Sequence, residues 1–237
     1  MAKPVCLITG AGGRLGRLLS RCLSPHYAIV AAYRSRIPDL PSQLQRPHDQ
    51  TRANADTDDL FCVQGDLTSR HDIRRIVEVA LARFGRIDAV VNAAADVAFH
   101  GKLVELWQAD DYPQSQVLTN AIAPMQLVSA VYDQCWRDNP RDNAEWNRSV
   151  VNVSSYSALY VYDDSRQAFY GASKAALNLL TLYLSLELAP YSVRANVVCP
   201  GQFRDEPATQ RVVDTIVAVL AGSETGVVVN VPDAGGG

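Results

Sequence analysis

Apolar and polar positions follow two alternating patterns along the 237-residue chain. Nearly continuous apolar runs, typical of strands buried on both faces of a parallel sheet, cover residues 5–9, 27–33, 60–63, 87–91, 149–153, 193–198 and 227–231. Between them, apolar residues take helical spacing over residues 15–23, 73–84, 114–136 and 167–188. The alternation predicts one α/β domain over residues 1–237: a Rossmann-like, doubly wound, mostly parallel seven-stranded sheet between two layers of helices.

Two connecting segments are polar enough to predict loops. Residues 34–59 contain three prolines, and residues 137–148 are charged and rich in asparagine. The helix over residues 167–188 follows Asp164 and Ser165, either of which is a suitable N-cap.

Composition excludes several classes of protein. The net charge is −3, with no basic stripe, so we expect no nucleic-acid partner. No apolar run reaches the ~20 residues of a membrane span, so we expect no membrane partner. The five cysteines are scattered without a CxxC pair, which indicates reduced thiols in a cytoplasmic protein and no metal site.

A glycine-rich turn joins the first predicted strand to the first predicted helix. Its sequence over residues 9–16 is TGAGGRLG. Glycines let such a turn close tightly and let a pyrophosphate approach backbone N–H groups at the helix N-terminus, where the helix dipole favours anions. The placement of this turn between a strand and a helix therefore predicts a dinucleotide site.

The end of the second strand indicates which dinucleotide binds. NAD-specific sites usually place an acidic residue there, to bond the ribose 2′-hydroxyl. Here the strand ends in Tyr33, Arg34 and Ser35, and the next carboxylate is Asp39. Arg34 and Ser35, with Arg14 of the glycine turn, could hold a 2′-phosphate. We therefore predict NADP(H) as the cofactor.

Tyr170 and Lys174 form a candidate acid–base pair. They are four residues apart on a predicted helix and so share one face. A nearby cation lowers the pKa of a phenol, which is otherwise near ~10, toward the working range of a proton donor and acceptor. Ser154 and Ser155 end the fifth predicted strand, at the sheet edge where open α/β sheets bind ligands. Ser155 is the preferred partner for a substrate carbonyl, with Ser154 as the alternative.

These residues, taken together and in order, resemble the short-chain dehydrogenase/reductase family along essentially the whole chain. Besides the glycine turn, Ser155, Tyr170 and Lys174, the matching elements are GDL at 65–67, NAAA at 92–95, Asn120, Pro200-Gly201, Thr225-Gly226 and NVPDAG at 230–235. The resemblance implies that Tyr170 is the general acid/base, that Ser155 positions the carbonyl, and that Lys174 binds the nicotinamide ribose and lowers the tyrosine pKa.

The resemblance also implies further roles around the cofactor. Asn120 is expected to hold a water that links Lys174 to solvent. Asp66 and Leu67 are expected at the adenine, and Asn92, Ala93 and Ala94 at the adenine ribose. The other expected cofactor contacts are Gly10, Gly13, Arg14, Leu15, Pro200 and Gly201.

Four features depart from the family pattern. Arg14 replaces the usual central glycine, as in pteridine reductases, although Gly10, Gly13 and Gly16 also fit the spacing of the longer epimerases and dehydratases. Ser155 lies fifteen residues before Tyr170, about two more than usual. Only 24 residues separate Gly201 from Gly226, so the substrate-loop region over about 202–224 is shortened. The loop over 137–148 is longer than usual.

The sequence thus predicts an NADP(H)-dependent oxidoreductase, a ketoreductase that acts on a carbonyl or on a pterin-type C=N of a small molecule. The alternative is a catalytically inactive NADP(H)-binding sensor or assembly partner, and a third possibility is an epimerase- or dehydratase-like enzyme. The resemblance implies a homodimer or homotetramer paired through the helices over 114–136 and 167–188. Aromatic residues expected at the substrate pocket are Tyr156, Tyr160, Tyr162, His100 and Phe203.

Overall fold

A computed structural model describes residues 3–38, 59–108, 113–163, 166–203 and 205–233. Its strands are β1 (Val5–Thr9), β2 (Ala28–Tyr33), β3 (Leu60–Gln64), β4 (Ala89–Asn92), β5 (Ser149–Val153), β6 (Arg194–Pro200) and β7 (Val228–Val231). Its α-helices are α1 (Arg14–Leu23), α2 (Arg70–Phe84), α3 (Gln114–Val117), α4 (Ala123–Val131), α5 (Pro140–Glu145), α6 (Ala168–Leu188) and α7 (Glu206–Ala221).

The seven strands form one sheet in the order β3-β2-β1-β4-β5-β6-β7, and every neighbouring pair is parallel. The predicted fold class is therefore confirmed. The strand order changes direction between β1 and β4, and open parallel sheets bind ligands in the crevice beyond such a point. The glycine turn follows β1 and so lies at this crevice.

Successive residues of each strand point to opposite faces of the sheet, and both faces are covered by helices. Ile8 packs with Leu19 of α1 and Ile216 of α7. Its neighbour Leu7 packs in the other layer, among residues of α2 and α4. Burial on both faces explains why the strands read as continuous apolar runs rather than as alternating ones.

The long helix predicted over residues 114–136 is interrupted by two π-helical turns. α3 continues into a π-helical turn over Leu118–Ile122, and α4 continues into another over Tyr132–Trp136. Pro124 has no N–H to donate to the carbonyl of Asn120, and Ala123 donates instead to the carbonyl of Leu118, five residues back. The π turn places Thr119 and Asn120 beside the crevice.

One helix lies where a loop was expected, and another lies in the shortened substrate-loop region, for which no helix was predicted. α5 falls within the predicted loop over 137–148, beginning at Pro140 and anchored by the buried side chain of Asn143, whose amide donates to the carbonyls of Trp136 and Tyr191. α7 occupies most of the shortened region over 202–224, and the Asp205 carboxylate caps it by accepting from Ala208 N. α7 packs into the core rather than over the cleft. Only five residues, 201–205, connect the end of β6 to the start of α7.

Some predicted residues lie outside the described ranges, among them both candidate N-caps of α6. α6 begins at Ala168 after Gln167, and the predicted caps Asp164 and Ser165 lie outside the described residues, as do Asp39 and residues 40–58. Across the described ranges, no helix combines the length and the apolar character that crossing a membrane requires. The same ranges hold no cluster of side chains suited to a metal ion.

A buried ion network lies at the amino ends of the strands, on the side of the sheet opposite the crevice. The Asp88 carboxylate is almost fully buried and accepts from Val5 N at 2.8 Å. It also accepts from Arg86 at 2.6 and 2.7 Å and from Arg148 Nε at 3.1 Å. Two guanidinium groups and a backbone N–H thus compensate the desolvation of this carboxylate, which ties β1 and β4 to β5.

Candidate active site

The glycine turn is closed by contacts that exclude side chains. Gly10 has φ +68°, and a Cβ there would lie 2.8 Å from the backbone nitrogen of Ala94. A Cβ on Gly12 would lie 1.9 Å from the carbonyl oxygen of Arg36. The turn therefore packs directly against the backbone at the ends of β4 and β2, as a cradle for a flat dinucleotide requires.

One cleft of about 860 Å³ runs from this turn to α6. Among the predicted site residues, those that line it are Gly10, Gly13, Arg14, Leu15, Tyr33, Arg34, Ser35, Asp66, Leu67, Ala93, Ala94, Ser155, Tyr170, Lys174, Pro200 and Gly201. Asn92 and Asn120 do not line it.

At one end of the cleft, Arg34 lies beside Asp66. The Asp66 carboxylate accepts from the backbone N–H and the hydroxyl of Thr68, at 2.9 and 2.8 Å, and these bonds, helped by Arg34, lower its pKa. Gln64 donates from its amide to the Arg34 carbonyl at 2.9 Å, which fixes the backbone after β2. This end therefore combines cations for a phosphate with acceptors for a base or ribose.

Asn92 is turned away from the cleft. Its buried amide donates to Asn152 Oδ1 at 2.8 Å and so joins β4 to β5. The Asn92 side chain therefore does not line the cleft, because it is bound to the neighbouring strand, and its role at the adenine ribose stays a prediction. Ala93 and Ala94 do line the cleft.

Tyr170 and Ser155 both line the cleft, and the Ser155 hydroxyl lies near enough to the phenol to lower its pKa. Ser155 is half-buried and also accepts from Ser157 N at 3.2 Å. Ser154 is buried and donates to the Lys174 carbonyl at 3.2 Å, which directs it toward the backbone of α6. Of the two serines left open by the sequence, the geometry favours Ser155.

Lys174 lies almost fully buried beside this pair. Its Nζ donates to the Val153 carbonyl at 2.8 Å and lies 5.9 Å from the centroid of the Tyr170 ring. Burial lowers the pKa of Lys174 to about 8, because the charged form has lost its water. The predicted pair is thus brought to the same crevice.

The pKa of Tyr170 moves opposite to expectation. Burial raises it, and the nearby Ser155 hydroxyl lowers it by less. The sequence prediction that Lys174 lowers this pKa is not met in the protein alone, because the ammonium faces the Val153 carbonyl while the phenol is itself desolvated. Tyr170 is therefore a protonated phenol at neutral pH.

Asn120 is a fully buried side chain that hydrogen-bonds to two segments beside the crevice. Its amide accepts from Asp96 N at 2.7 Å and donates to the Asp96 carbonyl at 2.8 Å. It also donates to Ser173 Oγ at 3.1 Å, and Ser173 in turn donates to the Tyr170 carbonyl at 2.7 Å. Asn120 thereby connects the segment after β4 to the first turn of α6.

Several residues that line the cleft were not predicted from the sequence: Asp96, Val97, Thr119, Gln167 and Gln202. Asp96 directly follows the NAAA run at 92–95, and Thr119 directly precedes Asn120; these positions were the signal that could have predicted both residues at the cleft. Of the aromatic residues expected at the pocket, Phe203 lines the cleft and its carbonyl accepts from Arg14 Nη1 at 3.2 Å. Tyr156, Tyr160, Tyr162 and His100 do not line it.

The fold and the cradle define an α/β protein of the class that binds a dinucleotide beyond a parallel sheet. The chain matches the family described as short chain dehydrogenase over residues 4–231, and it belongs to that family. It is therefore an oxidoreductase of a family that uses a nicotinamide cofactor.

Individual relatives are similar at modest identity. The 3-oxoacyl-[acyl-carrier-protein] reductase FabG of Thermotoga maritima is 29% identical over 207 residues, which cover 87% of this chain and 76% of that protein. A peroxisomal 2,4-dienoyl-CoA reductase of Arabidopsis thaliana is 28% identical over 218 residues, covering 88% and 67%. The solved structure of a short-chain type dehydrogenase/reductase from Mycobacterium ulcerans is 20% identical with a TM-score of 0.78, covering 98% of this chain and 89% of that one, and it supports the fold.

Proposed function

We propose that the protein is an NADP(H)-dependent oxidoreductase that reduces a carbonyl, or a pterin-type C=N, of a small molecule. The observation that carries the proposal is the placement of Tyr170, Ser155 and buried Lys174 in the same cleft as the glycine cradle. A module that only bound a dinucleotide would not need a desolvated phenol paired with a hydroxyl at this place.

The residues around the cradle fit a nicotinamide dinucleotide. Gly10 and Gly12 leave no room for a Cβ, and the N-terminus of α1 that follows them offers backbone N–H groups to a pyrophosphate. Lys174 faces the cleft with two ammonium hydrogens beyond the one given to Val153, and these suit ribose hydroxyls. When bound, the cofactor supplies the hydride.

Preference for NADP(H) follows from the charges after β2. Arg34 and Ser35 line the cleft, as does Arg14 of the glycine turn. A 2′-phosphate gains charge-assisted hydrogen bonds from guanidinium groups there. The test is calorimetric titration with NADPH and NADH, with Arg34→Glu as the variant. We expect tighter binding of NADPH and reversal of the preference in the variant; equal binding of both, unchanged by Arg34→Glu, would remove the NADP(H) proposal.

Tyr170, Ser155 and Lys174 divide the chemistry. Ser155 donates to the substrate oxygen and fixes its position, while Tyr170 donates a proton to the same oxygen as negative charge develops on it. Because burial keeps the pKa of Tyr170 high, the phenol holds its proton at neutral pH, which favours the direction of reduction. Lys174 holds the cofactor ribose next to the phenol and, when protonated, places a positive charge on that side of the site.

A second candidate function, an NADP(H)-binding sensor or assembly partner without turnover, is favoured by the short segment between β6 and α7, which leaves the substrate side open. NADPH oxidation measured against a panel of ketones, quinones and pterins separates the two. We expect turnover with at least one class. Tight NADPH binding without oxidation across the panel would favour the sensor.

We also propose that the protein is a homodimer or homotetramer that works in the cytoplasm. One face of α6 exposes large apolar side chains at spacings of three and four residues: Leu179, Tyr183 and Leu186, which are 57%, 59% and 71% exposed in the single chain. Pairing of this face between two copies would bury them. All five cysteines are free, as a reducing compartment allows. Light scattering should give a multiple of the chain mass, reduced to one chain by Leu186→Glu; a monomeric wild type would contradict this.

A further inference from the structure

The proposed chemistry leaves part of the cleft wall without a role. Asp96 lines this part, and both peptide groups of Asp96 are bound by the Asn120 side chain. Asn120 is fully buried and does not line the cleft. Since the N–H and the carbonyl of Asp96 point to Asn120, the carboxylate is the polar group that Asp96 presents to the cleft.

The Asp96 carboxylate is only partly satisfied. Its Oδ1 accepts from Ala98 N at 2.9 Å, which closes a tight local turn. Within the ranges that the structure describes, no hydrogen bond reaches its other oxygen and no cation pairs with it. A half-buried negative charge with one free oxygen is a strong acceptor for a donor or a cation.

Thr119 lines the same cleft and carries a buried hydroxyl that is also unsatisfied. It is 8% exposed, it lines the cleft, and its hydroxyl has no hydrogen-bond partner among the described residues. One helical turn earlier, the Gln116 amide donates to the Phe99 carbonyl at 3.1 Å while its oxygen also lacks a partner. Buried polar atoms without partners are rare in folded proteins because they cost free energy. Here the unpartnered atoms are all oxygens.

We propose that Asp96 and Thr119 form a subsite for a positively charged or N–H-bearing group of the substrate. The inference rests on the proposed function, because Asp96 and Thr119 line the same cleft as Ser155 and Tyr170, which would hold the reacting oxygen. It names the substrate class: carbonyl compounds, or cyclic imines, that carry an amine or a protonated nitrogen heterocycle near the reacting carbon. Asp96 would disfavour substrates with an anionic group at that position.

A pair of ketones of similar shape tests the subsite. N-methylpiperidone carries a ring nitrogen that is protonated near neutral pH, whereas methylcyclohexanone is neutral. A charge-assisted hydrogen bond to Asp96 predicts that wild-type kcat/KM favours the charged ketone by on the order of 10- to 100-fold. In Asp96→Asn that ratio should fall close to one, since asparagine keeps an oxygen for Ala98 N but loses the charge. Asp133→Asn, which removes an exposed carboxylate on the π turn after α4, should keep the wild-type ratio.

The outcomes separate the subsite from the proposed function. If both ketones are reduced with equal efficiency, or if Asp96→Asn leaves the ratio unchanged, the subsite is wrong and the reductase stands. If neither ketone is reduced, calorimetry of the two corresponding alcohols with cofactor-loaded protein reads the subsite directly. Preference for the amino alcohol that disappears in Asp96→Asn supports it; equal binding overturns it.

Discussion

Lys174→Met should make the fold more stable while removing the group that we propose holds the cofactor ribose. Lys174 is 2% exposed, and burial lowers its pKa from 10.5 to about 8. At pH 7 the amine is protonated in both the folded and the unfolded chain, so the folded state bears the cost of the buried charge. A shift of that size corresponds to about 3 kcal/mol.

Methionine fills a similar volume without a charge, but it leaves the Val153 carbonyl without the Lys174 hydrogen bond. That loss costs about 1 kcal/mol. The net gain is therefore about 2 kcal/mol at pH 7, or about 4 to 8 °C in Tm for a domain of this size. Turnover should fall below detection in the same variant.

The pH dependence gives the sign of the effect. A lysine with a lowered pKa destabilises the fold fully below pH 8, and the penalty is relieved between pH 8 and 10.5, where the unfolded chain binds the proton and the folded chain does not. The stability difference between Lys174→Met and wild type should therefore shrink as pH rises through this window.

Urea unfolding of the cofactor-free protein at a series of pH values measures both quantities. Lys102→Met is the matched control, because Lys102 is half-exposed beside Glu105 and its replacement should change stability little. A Lys174→Met variant that is less stable than wild type at pH 7, or one whose advantage does not change with pH, would refute the reasoning.

Three further predictions concern the cradle, the buried ion network and the two serines. Gly12→Ala should weaken NADPH binding, measured by calorimetry, by about tenfold or more. A Cβ at this position would lie 1.9 Å from the Arg36 carbonyl oxygen and must displace the segment that carries Arg34. Unchanged affinity would contradict this prediction. Arg148→Leu should lower the free energy of unfolding by about 3 kcal/mol, seen as a Tm about 6 to 12 °C lower, because it removes one of two guanidinium groups from buried Asp88. Arg137→Leu, which breaks an exposed ion pair, is the control and should change stability little. Equal effects of the two substitutions would count against the network. Ser155→Ala should lower kcat/KM by about 100-fold and Ser154→Ala by much less, and the reverse order would reassign the serine that holds the carbonyl.

The strands were largely predictable because their signal is local. β1 and β5 have the bounds that their apolar runs predict, since each run ends where polar or glycine residues begin. α7 was missed although Val212, Val213, Ile216 and Leu220 have helical spacing, because the segment was interpreted through its length relative to the family. The π turn at Leu118–Ile122 depends on one missing N–H, which hydrophobic periodicity does not register.

In the candidate site too, residues that local sequence spacing brings together were predictable, and those that depend on tertiary contacts were not. Tyr170 and Lys174 were found because four residues on a helix fix their proximity. Asp96 and Thr119 reach the cleft only through the contacts of Asn120 and the π turn, which are tertiary features. The pKa of Tyr170 also depends on burial, so its direction required the fold.

The most direct test of the central claim, that the buried phenol of Tyr170 supplies the proton, is the turnover of Tyr170→Phe. The variant loses only the hydroxyl and keeps the ring that packs in the cleft, so NADPH should still bind when measured by calorimetry. With the best carbonyl substrate and saturating NADPH, kcat should fall by about 100- to 10,000-fold. A Tyr170→Phe variant that oxidises NADPH at the wild-type rate would contradict the account.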